Sequence, residues 1–303
     1  MNTRVTTASC AVVLFLASAI AAQQPPPVSP VEQLTFDRPE AWALKYFIST
    51  TTLSGLDAPA EKGSISVGLE GGWIPRLSDS QQRVGFNGTT PQDLNKAPMF
   101  VRPRVSITLP GRITLIAAGV PPIKMFEVTP RLFAAAVEWA ISDRGPWRVA
   151  IRGHGQTGSV TGAFTCPATV LIFTPGSLGN PAGCTSESAD GATLRYAGAE
   201  LHVGRRIAGL HGLIPHVAAG ANFVDSAYQM NATAFGAPDR TRMEASGITP
   251  SASAGFAYEL NHRFAVVADA FYSPLTVRRP PGASRTVDSL LTARMLIEYR
   301  LRR

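Results

Sequence analysis

The sequence has few charged residues, and beyond its N-terminus it has no long apolar run. Charged side chains make up 16% of its 303 residues, and no later stretch reaches the ~18 uncharged apolar residues of a membrane-spanning helix. The net charge of +7 is spread mostly as single arginines, without a basic tract in which aromatic residues are interleaved. A helical membrane protein and a nucleic-acid partner are therefore not expected.

Cysteine is also scarce, with three residues in the chain. Cys10 lies in a segment with the pattern of a secretory signal peptide, in which Arg4 precedes a short apolar core and small residues follow. We expect Sec-type export and removal of residues 1–22. The remaining pair, Cys166 and Cys184, is predicted to form a disulfide in an oxidising compartment, with two free thiols as the alternative. This bond would close a loop of about 18 residues and stabilise it by roughly 3 kcal/mol through chain entropy.

The segment 291–301 alternates between two faces. Its apolar face carries Leu291, Ala293, Met295, Ile297, Tyr299 and Leu301, and its opposite face carries Thr292, Arg294, Leu296, Glu298 and Arg300. A period of two kept over this length indicates a β-strand. A soluble sandwich would bury the apolar face, whereas a membrane barrel turns it to lipid and keeps the charges inside. Because unpaired backbone groups in lipid cost several kcal/mol each, we expect this strand to pair with the first one.

Earlier segments carry similar strand signals, and Pro110-Gly111 joins two of them as a hairpin turn. The predicted strands are 63–73, 100–109, 112–120, 128–141, 147–156, 194–205, 215–224, 247–260 and 263–272. Short turns alternate with long loops along the chain, as in barrels with short periplasmic turns and long external loops. The sequence therefore predicts an all-β fold, a single up-and-down antiparallel transmembrane β-barrel of about 10 strands (about 12 at most) over residues 63–303.

The residues between the signal peptide and the barrel are predicted to be periplasmic. Residues 23–40 form a Pro-rich leader. Residues 41–62 are predicted to form a short helix or a plug of the barrel, with Asp37 as candidate N-cap. With an even strand count, the chain enters and leaves the barrel on the periplasmic side. A helix or plug is therefore favoured over an eleventh strand, although the Thr-rich run 48–53 is equally compatible with a strand.

The inward register of the predicted strands collects charged and imidazole side chains. The candidates for lining the lumen are Glu70, Arg102, Arg104, Glu138, Arg148, Arg152, His154, Glu200, His202, His216, Asp269, Arg294 and Glu298. One interpretation is a network of ion pairs that fills a narrow interior, because buried charges must be paired and a barrel of about ten strands leaves little bore. The other is a selective pathway in which basic residues favour anions.

Glu200 and His202 lie on one predicted strand and His216 on the next, so they are candidates for an acid/base pair or a metal site. Such groups in a polar lumen are more often structural. Omptin-type outer-membrane proteases need paired acids and an Asp–His couple at the external rim, and the candidates here lie on strands that are not neighbours. The His-x-Ser of some outer-membrane lipid hydrolases is absent. No catalytic residue, metal or cofactor is therefore predicted.

The pattern over residues 63–303 resembles the broad group of bacterial outer-membrane β-barrel proteins. The last strand is similar to their assembly signal, although Arg302 and Arg303 stand where an aromatic residue is usual. The resemblance implies the bacterial outer membrane as location, and outer-membrane lipid and the barrel-assembly machinery as partners. It implies an envelope-structural role, or a narrow passage or binding site for a small solute. The alternatives are an outer-membrane hydrolase of lipid or peptide and a soluble periplasmic β-barrel binder.

Overall fold

The alternation in the sequence corresponds to ten strands in the computed structural model, which describes residues 31–55, 64–142, 145–210, 212–282 and 284–302. The strands are β1 Ile65–Trp73, β2 Met99–Leu109, β3 Ile113–Val120, β4 Val128–Ser142, β5 Trp147–Gly162, β6 Asp190–Arg205, β7 Leu213–Gln229, β8 Arg242–Glu259, β9 Phe264–Ser273 and β10 Leu290–Arg302. Each strand pairs antiparallel with the next, and β10 pairs with β1. The predicted closed barrel is confirmed. The predicted signal peptide and residues 23–30 lie outside the described ranges.

The outward side chains form an apolar band that is bounded by charges. On β6, Arg195 and Arg205 both point outward, and the outward residues between them are Ala197, Ala199, Leu201 and Val203. A strand rises about 3.4 Å per residue, so ten residues tilted by about 40° span roughly 25 Å, the height of the apolar band of outer-membrane barrels. A soluble protein does not expose such a band, so the soluble alternative is wrong.

Aromatic residues mark the two edges of this band. Among the described residues, the exposed tryptophan and tyrosine side chains are Trp73, Trp139, Trp147, Tyr258 and Tyr272. The turns that join β2 to β3, β4 to β5, β6 to β7 and β8 to β9 lie at one end of the barrel, which we call the short-turn end. The connections 74–98, 121–127, 163–189, 230–241 and 274–289 lie at the other, the long-loop end. In outer-membrane barrels the long loops face the outside of the cell.

Strands β6, β7 and β8 extend farther at the long-loop end than the sequence predicts. β6 begins at Asp190, β7 ends at Gln229 and β8 begins at Arg242. The outward side chains there are polar, as at Asp225 and Glu244. The apolar alternation ends where lipid ends, but backbone pairing continues above the membrane. The pattern therefore marks the lipid boundary and not the strand ends.

The long loops contain short elements of their own. These are helices at Asp79–Gln82 and Gly85–Gly88, a 3-10 helix at Ala168–Val170, paired strands at Arg83–Val84 and Thr90–Pro91, a three-stranded sheet of Cys184–Ser186, Ala232–Ala234 and Ala237–Asp239, and a pair at Thr276–Val277 and Thr286–Val287. The predicted disulfide between Cys166 and Cys184 is confirmed. It closes part of the largest loop.

Helix α1, Pro39–Thr50, lies inside the barrel at the long-loop end, against β6, β7 and β10. Proline at the first helical position suits a helix start. The N-cap is Arg38 and not Asp37 as predicted, because the Asp37 carboxylate is held by arginines of the last loop. The chain leaves the helix at Thr51 without forming a strand, so the strand alternative for 48–53 is wrong. No helix in the described ranges is long and apolar enough to span a membrane.

The described part of the N-terminal segment, residues 31–55, begins at the long-loop end and continues into the lumen. Residues Val31–Gln33 pair in parallel with Arg242–Glu244 at the start of β8, at the long-loop end. The reason is local: β8 rises above the last residues of β9, which leaves an edge of unpaired backbone groups, and the short strand covers it. The chain then descends into the lumen.

Candidate functional site

Below α1, residues 51–55 occupy the lumen as an irregular stretch that we call the lumen segment. Irregular backbone needs hydrogen-bond partners when it is buried. Arginine side chains donate to its carbonyl oxygens: Arg102 Nη1 to Thr51 at 2.7 Å, and Arg294 to Thr52 at 2.7 Å and to Ser54 at 2.9 Å. The inward charges of the barrel therefore hold the plug by its backbone.

Two further wall residues accept hydrogen bonds from the lumen segment. The Leu53 N–H donates to the Tyr196 hydroxyl at 2.7 Å, and the Gly55 N–H donates to Glu200 Oε1 at 3.1 Å. Leu53 itself packs against Ile116 and alanine side chains of β3 and β4 and is fully buried. Contacts on several sides thus fix the segment across the bore.

The thirteen predicted lumen residues all lie on the inward side of the wall. Their ion pairs are Arg102–Glu70 at 2.6 Å, Arg104–Glu70 at 3.8 Å, Arg148–Glu138 at 2.5 Å, Arg152–Glu138 at 2.6 Å, Arg152–Glu200 at 3.1 Å and Arg294–Asp269 at 3.0 Å, while Glu298 lies 3.9 Å from Arg300. His154 is bound to Asn222, with 2.8 Å between Nε2 and Oδ1. The set contains five arginines and five carboxylates, so it presents no net charge that would draw anions.

The hydrolase candidates are not arranged as an acid/base pair. Glu200 is bound by Arg152 and by the backbone of Gly55. His202 Nδ1 lies 3.9 Å from Glu138 Oε2, beyond hydrogen-bond reach, and its ring stands perpendicular to that of His216 with 5.1 Å between centroids. Among the described residues, no group of three or more His, Cys, Asp or Glu side chains could hold a metal. These residues belong to the packed interior.

Above the charged layer, a cavity of about 480 Å³ lies between one face of α1 and the barrel wall. We call it the α1 cavity. The helix contributes Ala43, Leu44 and Phe47. The wall contributes mainly apolar side chains, including Met99, Phe100, Val120, Met125, Leu132, Val160, Leu194, Tyr228, Met230 and Met243. The interior therefore has two zones, apolar toward the long loops and charged below.

The sequence contains a signal for this cavity that is separate from the inward charges. Phe100, Val120, Leu132 and Leu194 occupy the inward register in the upper halves of their strands, where a water-filled lumen would carry polar residues. Apolar side chains on both faces of a strand indicate a second apolar partner inside the barrel. That partner is α1.

The other face of α1 is fastened to the long loops. Trp42 Nε1 donates to the Asp288 carbonyl at 3.0 Å, and the Tyr46 hydroxyl donates to the Pro75 carbonyl at 2.6 Å. Lys45 Nζ donates to the carbonyls of Phe36 and Thr276. Burial lowers the pKa of Lys45 to about 8, although the charge of Asp37 offsets part of that effect. The helix is therefore immobilised on one side and borders the cavity on the other.

No protein-family model and no curated protein matches the sequence. Among solved structures, the chain is similar to the outer membrane protease OmpT from Escherichia coli, at 10% identity and TM-score 0.39 over 78% of this chain and 92% of that one. It is also similar to Ail, the attachment invasion locus protein of Yersinia pestis, at 12% identity and TM-score 0.30 over 80% and 100%. The Pseudomonas putida toluene transporter TodX is similar at 10% identity and TM-score 0.32 over 91% and 79%. Such likenesses carry no functional argument, and the barrel itself places the chain among bacterial outer-membrane β-barrel proteins.

Proposed function

We propose that this outer-membrane barrel binds a small apolar solute in the α1 cavity and has no catalytic activity. The observation that carries the proposal is the cavity itself, about 480 Å³ with a mainly apolar lining. Small-molecule sites commonly measure about 300–1,000 Å³, and a dry cavity of about 150 Å³ already holds benzene. Removing an apolar solute from water into such a site is favourable because of the hydrophobic effect.

The composition of the lining supports a site that adapts to its ligand. Four methionines, Met99, Met125, Met230 and Met243, border the cavity. Methionine side chains are unbranched and polarizable, so they suit surfaces that accept ligands of varied shape. The aromatic rings of Phe47 and Tyr228 add flat apolar area. These features favour apolar ligands of moderate size over a single rigid one.

The closed lumen favours binding over free passage. A solute that crossed from the cavity to the short-turn end would have to displace the lumen segment. Its displacement breaks the hydrogen bonds that Arg102 and Arg294 donate to it and leaves these buried donors unsatisfied. Passage is therefore expected only if a further event releases the plug.

The methionines supply the test. The chain downstream of the signal peptide contains five of them, four at the cavity and Met295, which points outward to lipid. We would label their methyl groups with 13C, place the protein in lipid nanodiscs and titrate with naphthalene, whose ring current shifts nearby resonances. The proposal predicts saturable shifts at Met125, Met230 and Met243. Met295 should show only the small linear drift of naphthalene that dissolves in lipid.

A pair of matched variants separates the cavity from the lipid. Ala43→Phe fills space beside α1, whereas Ala199→Phe adds the same ring to the lipid-facing surface. Binding should weaken by at least about tenfold, or roughly 1.4 kcal/mol, in the first variant and stay unchanged in the second. If no cavity methionine shows saturable shifts in the unmodified protein, an envelope-structural role replaces the proposal.

A further inference from the structure

The wall of the barrel has a local interruption between β2 and β3. Within the described chain, pairing of these strands runs from Leu109–Ile113 up to Arg104–Ala118 and stops there. β2 continues to Met99 while paired only with β1 on its other side. The upper end of β2 thus has one sheet neighbour, β1.

Prolines explain why the ladder ends. Pro103 stands next to the last paired residue of β2, and Pro121 and Pro122 directly follow β3. Proline has no backbone N–H and cannot donate to a strand ladder. Above the interruption, Lys96 Nζ lies 2.6 Å from Glu127 Oε2 and joins the two adjoining loops. We call the part of the wall between residues 99–103 and 119–125, where β2 and β3 are not paired, the wall gap.

The α1 cavity reaches the wall gap from inside. Met99 and Phe100 line the cavity from the β2 side of the gap, and Val120 and Met125 line it from the β3 side. The ring of Phe100 lies against Gly72 of β1, where a side chain on the glycine would collide with it. Both edges of the gap are therefore also walls of the candidate binding site.

The outer surface around the wall gap is apolar. Met99 pairs with Trp73, an outward residue at the long-loop edge of the apolar band. Ile123 and Phe126, on the β3–β4 connection, are 61% and 56% exposed. Indole side chains concentrate where lipid headgroups meet acyl chains. The gap thus lies at the level of the outer leaflet.

The direct route from water is less suited to an apolar solute. Charged side chains surround the cavity toward the loops, with Glu32, Arg38, Glu40 and Asp239 among its lining residues. Arg38 pairs with both glutamates. Apolar molecules also concentrate in lipid, so an access route that faces the membrane meets a higher concentration of solute than one that faces water.

We propose that small apolar molecules enter the α1 cavity sideways, from the outer leaflet through the wall gap. The proposal rests on the proposed function, because it describes how that ligand arrives. It assigns the wall gap the role of access route and gives Met99, Phe100, Val120 and Met125 direct contact with the moving solute. The charged loop rim then serves to keep the solute from leaving into water.

A covalent staple across the gap tests the route. Val101→Cys with Ile123→Cys places one outward or exposed thiol on each side, and a short bismaleimide joins them after folding. The control staple joins Val105→Cys to Ala117→Cys, which are paired across the same two strands just below the gap. The native cysteines are bonded to each other and do not react. Heat-modifiable migration on a gel verifies that both stapled proteins remain folded.

The readout is the exchange rate of naphthalene at the Met243 methyl group, measured by exchange NMR in nanodiscs. We expect the staple across the gap to slow exchange at least tenfold, with an unchanged shift at saturation, and the control staple to leave the rate as it was. Equal rates in the two stapled proteins would overturn the lateral route while leaving the binding site intact. Absence of saturable shifts in the unstapled protein would instead overturn the proposed function.

Discussion

The guanidinium of Arg294, on the closing strand, donates a hydrogen bond of 2.7 Å to the carbonyl oxygen of Thr52 in the lumen segment. The same side chain pairs with Asp269 at 3.0 Å and is fully enclosed. Arg294 therefore belongs to the strand that closes the barrel and also holds the lumen segment in place.

We predict that Arg294→Gln destabilises the barrel and releases the lumen segment. Removing one member of a buried ion pair leaves an uncompensated charge and costs about 3–5 kcal/mol, and the hydrogen bonds to Thr52 and Ser54 are lost as well. Urea unfolding in lipid vesicles should show the loss of stability. Planar-bilayer recordings should show openings that the unmodified protein lacks.

The control for this substitution is Arg206→Gln. Arg206 pairs with Glu259 at the short-turn end with its side chain 51% exposed, and surface pairs contribute about 0–1 kcal/mol. Asp269→Asn in the Arg294→Gln background removes the stranded charge and should recover much of the stability but not the closed conductance. If Arg294→Gln is as stable in urea as the unmodified protein and shows no channel openings, the contact between Arg294 and the lumen segment does not hold the plug.

A second prediction concerns acid. Asp37 is bound by Arg285, with 3.0 Å from Nη2 to Oδ2, and by Arg278 at 3.0 Å. Burial raises the pKa of Asp37, but hydrogen bonds from Arg285 and Thr35 and the charges of both arginines outweigh burial and lower it. A carboxylate with a lowered pKa stabilises the folded protein above its unfolded value near 3.9, and that stability is lost as pH falls through the folded value.

Acidification below about pH 4 should therefore loosen the attachment of α1 to the loop 274–289. Hydrogen exchange of both segments, corrected for intrinsic rates, should rise in that window and stay level between pH 5 and 7. Asp37→Asn should show raised exchange at every pH, because it lacks the charge that titrates. Asp79→Asn, at an exposed helix start, serves as the control. Identical pH profiles of hydrogen exchange for the unmodified protein and Asp37→Asn would show that Asp37 does not attach α1 to this loop.

The barrel was predictable because its signal is local and repeated. In β10 the period of two decides which side chains contact lipid. The inward positions of Arg294 and Glu298 therefore followed from the alternation alone. The sorting of short turns and long loops needed only the order of the strands. The disulfide followed from the cysteine count, because the predicted removal of Cys10 leaves Cys166 and Cys184 as an even pair.

The contacts of the plug could not be predicted in the same way, because they join residues that are distant in sequence. Thr52 is 242 residues from Arg294, and Leu53 is 143 residues from Tyr196. The even number of strands fixed the end of the barrel at which β1 begins, but it said nothing about the path of the preceding chain. The free edge of β8 that draws residues 31–33 upward depends on the unequal lengths of β8 and β9, which the apolar pattern does not show.

The disulfide is expected to stabilise its loop and not the barrel. Cys184 also begins a short strand that pairs with Ala232–Ala234, and Asn180 bonds both backbone groups of Cys184. Replacing both Cys166 and Cys184 with serine should weaken the loop by about 3 kcal/mol against local opening. Limited proteolysis should then cut within 163–189 much faster, while heat-modifiable migration stays the same. A large drop in barrel stability would contradict this separation.

A last prediction concerns Gly198, which lies between two residues whose side chains are hydrogen-bonded to each other. His154 of β5 and Asn222 of β7 flank Gly198 of β6 in register, and their side chains meet across it at 2.8 Å. A Cβ on Gly198 would collide with Asn222 Oδ1 and with His154 Nε2. Gly198→Ala therefore forces the two side chains apart within the buried interior. The expected loss is about 1–3 kcal/mol, the range for buried polar groups left unsatisfied.

Gly191→Ala on the same strand is the matched control, because a Cβ there meets nothing within 4 Å. Urea unfolding should separate the two variants. If the collision is the cause, the effect of Gly198→Ala should shrink in a His154→Ala background, since neighbouring substitutions are then non-additive. Equal losses in both backgrounds would trace the cost to the β6 backbone instead, and the bridge between His154 and Asn222 would contribute nothing to the stability of the charged layer.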